Sequence, residues 1–492
     1  MICAVCYSSS IEDLKYQVEL AINLKVNMIE IRVDGLDTID FSQVGQIIAD
    51  VDIPVILTAR SEWKNHLIDP PNHSNRREIL LKLIQQKPQY IDLEFPIDIS
   101  VASQVPKEMN IVLSLLDWDG LAKINLDDAI ELATKYNNLI VKIVATPRTV
   151  SNLKQLWRWS KRLHKEKIPN IIIGMGELGK ITRIKSPEMN NTWMYGMLAK
   201  DLGEPYLPGM LTIDTLQKAF ADNAWHLSSI GLNSEIESTM YKPIFNKIID
   251  SANLNGVYLN LPISNRAELD QLLLWIRDGL LDGVRILDPW QTEVLQKLDR
   301  LDKSAIYTKK CDCVALSKDG LIGYNTTVEA VKRVLSPFGI KGLKRIYIEG
   351  GALYSRSIIA SLKDSSELIV VRTKEEIEFE NLKQEFPSIT SASDSFTEHF
   401  DLVIQNQLPE PGFERVSPLP PKILKNSRIV FDIASSFNSS SETIKLGKSY
   451  KINTISSWDF HINSTIIAFE LWTNRSIPAS ELSPESIFEK SL

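Results

Sequence analysis

The stretch NNLIVKIVATP, residues 137–147, sets a lysine between Val141 and Ile143 in text that otherwise reads as a strand buried on both faces. An ammonium group is costly to desolvate, so Lys142 asks for a chemical reason. A desolvated lysine beside other cations gives up its proton more readily and becomes a nucleophile for carbonyl carbon. Other charged residues gather at comparable places: Glu30, Arg32 and Asp34 close one apolar run, Arg60 closes the next, and Arg183 follows the turn GMGELGK. Ion pairing at the solvent ends of strands accounts for most such charges, and it accounts for Lys142 least well. Cys3 and Cys6 form a C-x-x-C pair and Cys311 and Cys313 a C-x-C pair, both in apolar strand-like text far apart in the chain. That placement suits buried free thiols better than a split zinc site, and no metal is expected.

Over about the first 215 residues, short apolar runs alternate with amphipathic helices. The runs are 2–6, 28–34, 54–60, 90–95, 110–117, 139–146, 170–176 and 204–207; between them SIEDLKYQVELAINL and NLKQLWRWSKRLHKEK space their apolar residues by three and four. About eight strands alternating with helices predict an α/β fold of the TIM type, a parallel (β/α)8 barrel, with an open doubly wound sheet as the alternative. A barrel carries its active site at the carboxyl ends of its strands, where Glu30, Arg32, Arg60 and Arg183 collect.

With 492 residues, 44% of them hydrophobic and 24% charged, the chain is long enough for two or three globular domains. No apolar run is long enough to cross a bilayer, and MICAVCYSSS lacks the basic and apolar regions of a signal peptide, so a cytoplasmic location is expected. A net charge of −7 without a basic block argues against nucleic acid as the main partner, and no membrane partner is expected. The expected partners are small molecules, and oligomeric state is not legible.

MIEIRVD, ILTAR, IVKIVATP and IGMGELGKITRI resemble, in order and spacing, the type I 3-dehydroquinate dehydratases, over most of the first 215 or so residues. The resemblance implies that Lys142 forms a Schiff base with the substrate ketone, an electron sink that acidifies the neighbouring C–H so that water leaves and 3-dehydroshikimate forms. It implies substrate binding by Glu30, Arg32, Arg60 and Arg183, the last two by fork geometry to carboxylate and hydroxyls. The sequence then departs from the family. The S-x-H-D-F stretch that carries the general acid and base reads SLLDWDG, with Leu116 at the histidine position. Lys64 stands where an acidic residue is expected, followed by Asn65 and His66, and Tyr206 and Met210 replace a serine and a glutamine. A lost general base commonly costs on the order of 10²–10⁴ in rate, and His66 is the candidate for a relocated one.

Beyond a linker near residues 219–223, strand and helix text alternates again through HLSSIGL, GVYLNLPI and RIYIEGGALYSRSIIASL. DGLIGYNT, GVRILDPWQTEVLQKLDRLDKSA, VVRT and the closing AFELWTN resemble shikimate dehydrogenase. The implied division is a dehydratase-like barrel over 1–218, a substrate-binding-like domain over 224–330 and a Rossmann-like, NADP-binding domain with carboxyl-terminal helices over 331–492. Dehydratase followed by dehydrogenase is the order of a known bifunctional shikimate-pathway enzyme. The resemblance implies substrate contacts at Ser238 and Asn325, and NADP(H) contacts at Gly350, Gly351, Arg372 and Thr373, with Arg372 facing the 2′-phosphate. The Gly-rich turn is weakened, because Ala352 stands at its second glycine. The catalytic lysine position holds Gln291 and its aspartate partner Thr327; Leu287, Asp312, Met240 and Ser464 replace further polar partners. Gln291 and Thr327 can hold a ligand by hydrogen bonds but cannot exchange its proton near neutral pH.

The expected function is therefore a divergent pathway homologue: Schiff-base dehydration of 3-dehydroquinate through Lys142, and weak or lost NADPH-dependent reduction of 3-dehydroshikimate to shikimate. A barrel that works beside an inert second half, and a catalytically inactive metabolite-binding or regulatory relative, are the alternatives.

Overall fold

The computed structural model describes residues 1–61, 73–198, 207–232, 240–351, 354–392, 399–407, 419–434 and 441–488. Packing divides the chain into two units, Met1–Ala224 with Asn255–Gln271, and Trp225–Leu254 with Leu272–Leu492.

In the first unit, eight strands, β1 (Ile2–Tyr7), β2 (Met28–Arg32), β3 (Val55–Thr58), β4 (Tyr90–Glu94), β5 (Asn110–Asp117), β6 (Leu139–Ala145), β7 (Asn170–Gly174) and β8 (Met194–Met197), form one sheet in the order β7-β6-β5-β4-β3-β2-β1-β8. All pair in parallel. The two ends are drawn together by the bridge Asn170↔Asn191, and the Asn191 amide accepts from Ile172 N at 2.7 Å and donates to Ile172 O at 3.2 Å. The sheet is thus a nearly closed (β/α)8 barrel, not an open doubly wound sheet. The strands are almost entirely buried because helices cover one side and packed side chains fill the other. β6 is buried throughout, Lys142 included.

The last barrel strand lies ten residues ahead of its expected position: Met194–Met197 pairs with β1. The expected run 204–207 falls outside the described residues except for Leu207, which is in irregular structure. Met-Tyr-Gly-Met carries no β-branched residue and a glycine, so its strand signal is weak, and its burial against β1 decides the matter. Gly196 admits the neighbouring helix there, since a Cβ would sit 3.0 Å from Ile213 and Leu216.

A further strand of this unit, β10 (Gly256–Pro262), follows β9 (Trp225–Gly231) in sequence. In the second unit β9, β11 (Gly283–Ile286), β12 (Arg300–Leu301), β13 (Cys313–Ser317) and β14 (Gly320–Tyr324) make a mixed sheet in the order β9-β11-β13-β14-β12. The second sheet comprises β15 (Arg345–Glu349), β16 (Leu368–Arg372), β17 (Thr390–Ser391), β18 (Phe400–Gln405), β19 (Ser427–Asp432) and β20 (Asn453–Ile455). Its order β17-β16-β15-β18-β19-β20 is fully parallel. Counted from β15, that is 3-2-1-4-5-6, the Rossmann arrangement, whose ligand crevice lies at the switch beside the carboxyl end of the first strand. One face is closed by a core that includes Ile346, Ile348, Ile358, Leu362 and Phe431. Among the described residues no helix is long and apolar enough to cross a membrane. All four cysteines are buried free thiols.

Candidate active site in the barrel

Period-2 alternation turns Glu30 and Arg32 of β2, Thr58 and Arg60 at the end of β3, Asp92 and Glu94 of β4, Ser114 and Leu116 of β5, Lys142 and Val144 of β6, and Tyr195 of β8 to one side. Many of these are ionisable, and all the charged ones are buried. They are not surface ion pairs. Lys142 Nζ lies 3.3 Å from Glu30 Oε1 and 3.1 Å from Asp92 Oδ2, and 4.1 Å from the centroid of the Tyr195 ring. The expectation of cationic neighbours is therefore corrected: the groups nearest the ammonium are two carboxylates and an aromatic face, because β2 and β4 bring acids inward at the height of Lys142.

Asp92 is the hub. Both Arg60 Nη atoms donate to it at 2.8 Å, and Ser114 Oγ lies 2.8 and 2.9 Å from its two oxygens. Burial alone would raise its pKa, but Arg60 and Lys142 beside it and the hydrogen bonds from Arg60 and Ser114 prevail and hold it at about 2. Glu30 Oε1 also accepts from Thr58 Oγ1 at 2.8 Å. Arg32 is clamped by Asp34 through Nε at 2.9 Å and Nη2 at 2.6 Å. Neither Asp92 nor Arg76, which is clamped in turn by Asp98 at 2.5 Å, was legible as part of the site.

Arg183 is different. It is 2% exposed, yet among the described residues its guanidinium meets only the Tyr195 carbonyl oxygen at 3.5 Å, the Met175 sulfur at 3.6 Å and the Met194 sulfur at 4.0 Å. Its Nε has no partner and no carboxylate pairs with it among the described residues. Burial pulls its pKa down to about 10. Two glycines aim it: a Cβ on Gly179 would lie 2.3 Å from the Gly174 carbonyl carbon, so only glycine lets the helix Gly176–Ile184 close on the end of β7. Gly209, at φ +86, does the same for the loop carrying Leu207 and Met210, which rests on Gly176.

Glu30, Arg32, Arg60, Lys142, Arg183 and Tyr195 share a cavity of about 50 Å³ with apolar walls that include Leu116, Trp118, Ile173, Met175, Leu207 and Met210. Leu116 sits opposite Val144 in the β5–β6 register and faces this cavity. Burial and Glu30 push the Tyr195 phenol well above its ordinary value, so it stays protonated. Lys64, Asn65, His66 and Tyr206 lie outside the described residues.

Residues 2–223 match the type I 3-dehydroquinase family model. The bifunctional 3-dehydroquinate dehydratase/shikimate dehydrogenase of Arabidopsis thaliana is 24% identical over 342 residues, which is 66% of this chain and 54% of that protein, so the alignment spans about half of it. The shikimate biosynthesis protein AroDE of Chlamydia pneumoniae is 22% identical over 373 residues, 74% of each chain. The first 223 residues thus match a type I 3-dehydroquinase, and most of the chain is similar in sequence to dehydroquinate dehydratase/shikimate dehydrogenase fusions. The solved dehydroquinate dehydratase and shikimate dehydrogenase portion of S. pombe AroM aligns over 99% of this chain and 97% of its own at 17% identity, with a TM-score of 0.45.

In the dehydrogenase-type half, Asp312 Oδ1 accepts from Thr326 N at 2.7 Å, and its Oδ2 accepts from Thr326 Oγ1 at 2.9 Å and from Thr327 N and Oγ1 at 3.3 and 3.2 Å. Burial raises its pKa against those donors. Thr326 Oγ1 lies 2.9 Å from Ser464 Oγ, and Gln291 Nε2 donates to Ile286 O at 3.1 Å. The Arg285 guanidinium lies 3.9 Å from the Tyr241 ring centroid, and Tyr241 Oη is 2.8 Å from His461 Nδ1. Asn325 is committed as a helix cap: Oδ1 accepts from Thr327 N at 3.1 Å, and Nδ2 donates to Thr308 and Ser357 at 2.8 and 3.2 Å. Ser238 lies outside the described residues.

The NADP that family resemblance implies does not fit the turn after β15. Gly350 takes φ +103 and a Cβ there would strike the Asn406 backbone at 2.7 Å, which preserves the tight turn. But Glu378 Oε2 lies 2.8 Å from where a Gly351 Cβ would stand, and Thr373 Cγ2 is 2.6 Å from that point. Glu349, at the end of β15, faces Arg372 at 3.9 Å and accepts from Tyr347 Oη at 2.6 Å. A pyrophosphate at this turn meets two carboxylates, and Arg372 already faces one of them. Ala352 lies outside the described residues.

Proposed function

We propose that the barrel forms an imine through Lys142 with an oxo acid of the 3-dehydroquinate type, and that the dehydrogenase-type half binds a metabolite without transferring hydride. One observation carries this reading: a buried lysine faces the same cavity as a buried arginine that meets no carboxylate among the described residues. The ammonium must first lose a proton. Glu30 Oε1, 3.3 Å from Nζ, is within reach to take it. The amine then adds to the ketone carbon, the carbon–oxygen bond breaks, and water leaves as the imine forms. Arg183 supplies a cation for the substrate carboxylate, which would replace the anion it lacks.

With Leu116 at the histidine position, the later C–H abstraction lacks the base that position would supply, so dehydration should be slower by roughly 10²–10⁴ than with one. The test follows the conjugated enone of the product by ultraviolet absorbance, comparing the native chain with Lys142→Ala. Slow formation that depends on Lys142 is the expected result. A fast rate, or one unchanged in Lys142→Ala, removes the reading. Binding without turnover is the second reading, favoured by Gln291 and Thr327, which hold hydrogen bonds but carry no exchangeable charge.

A further inference from the structure

The polar groups of the barrel cavity are mostly spent on one another. Both Nη atoms of Arg60 donate to Asp92, Nε and Nη2 of Arg32 donate to Asp34, and the Thr58 hydroxyl donates to Glu30. Lys142, once free of the proton that pairs it with Glu30 and Asp92, and Arg183, which meets no carboxylate among the described residues, are left to meet a ligand, one suited to a carbonyl carbon and the other to an anion; the buried Tyr195 hydroxyl also has no hydrogen-bond partner among the described residues. The remaining wall is aliphatic, aromatic or thioether, with Leu116, Trp118, Leu207 and Met210 prominent among the described residues. A hydroxyl placed against them is stripped of water and gains no partner, which is unfavourable.

We propose that this site selects an oxo acid with an apolar carbon skeleton, one ketone and one carboxylate, over a polyhydroxylated one. The proposal rests on the imine reading and narrows its substrate class. The ketone carbon gains the Lys142 nitrogen and loses its oxygen as water, while the carboxylate sits on Arg183. No other polar group on the ligand is required.

The experiment uses the native chain and two probes matched in ketone-to-carboxylate spacing: 3-dehydroquinate and 3-oxocyclohexanecarboxylate, which lacks the hydroxyls. Each is titrated in the presence of borohydride, which delivers hydride to the imine carbon and leaves a stable secondary amine. Intact mass and peptide mapping then give the concentration that half-labels Lys142. An apolar pocket rejects an added hydroxyl by up to about 10²-fold, so the deoxy probe should half-label at a concentration about 10–100 times lower. A site built around the hydroxyls would instead reject the deoxy probe by about 10⁴-fold. Labelling by 3-dehydroquinate at equal or lower concentration overturns the apolar selection while leaving the imine reading intact. No labelling by either probe overturns both. As a second arm, Leu116→His with Met210→Gln should move the ratio towards 3-dehydroquinate; an unchanged ratio in a variant that still labels counts against the proposal.

Discussion

Replacing Arg183 with methionine should stabilise the barrel while removing its anion site. The magnitude follows from the environment of the guanidinium. Burial alone brings its pKa from 12.5 to about 10. At about 1.4 kcal/mol for each tenfold change, that difference corresponds to roughly 3 kcal/mol of unfavourable charge burial. The sign is fixed by linkage: the folded protein holds this proton less tightly than the unfolded chain, so the penalty is fully present below pH 10 and fades only as pH rises from there towards 12.5. Methionine fills similar space without charge beside Met175 and Met194, and apolar replacement of buried charges often yields about 1–4 kcal/mol. Urea unfolding of the native and Arg183→Met chains at neutral pH, read through the barrel tryptophans, measures the difference. A gain of about 1–3 kcal/mol, with loss of stabilisation by added oxo acid, is expected. A clear loss of stability would mean that Arg183 already has an internal counter-charge, and the anion-site argument would fail.

Asp92→Asn removes the charge that both Arg60 and Lys142 face, and should cost about 3–5 kcal/mol, measured by the same unfolding experiment. His461 is held neutral by burial and by Arg285, at about 3 instead of 6.5, so the unfolded chain binds a proton that the folded one refuses. Stability in the second unit should therefore fall as pH drops below 6.5, by about 2 kcal/mol at pH 5, and His461→Gln should flatten that slope; equal slopes would refute the assignment. The native chain should show no shikimate oxidation with NADP. Gln291→Lys with Thr327→Asp should restore proton exchange, but measurable NADP turnover should also need Glu378→Ala; ordinary rates in the native chain would contradict both arguments.

The barrel was legible because its strands are apolar runs separated by amphipathic helices, a local pattern. The signal failed at Met194–Met197, where pairing with β1 rather than composition makes the strand. Lys142 was legible as a charge out of place. Asp92 carries the same signal, an acid in the middle of YIDLE, but with Glu94 two residues on it reads equally well as the polar face of a half-exposed strand. What no single stretch could reveal is who pairs with whom: Arg60 and Arg183 look alike in sequence, yet one faces three carboxylates and the other meets none among the described residues. That difference arises from residues brought together across strands far apart in the chain. In the second half, Gly350 and Arg372 suggested a phosphate site from their spacing, whereas the carboxylates of Glu349 and Glu378 occupy its approach only once the sheet is folded.

The central claim is that Lys142 is a nucleophile towards a carbonyl ligand. The most direct measurement is borohydride trapping of the native chain with excess 3-dehydroquinate or its deoxy analogue, followed by peptide mass mapping. A reduced adduct is expected on the peptide carrying Lys142, and none in Lys142→Ala. Folded native protein that yields no adduct, or one on another lysine, would contradict it.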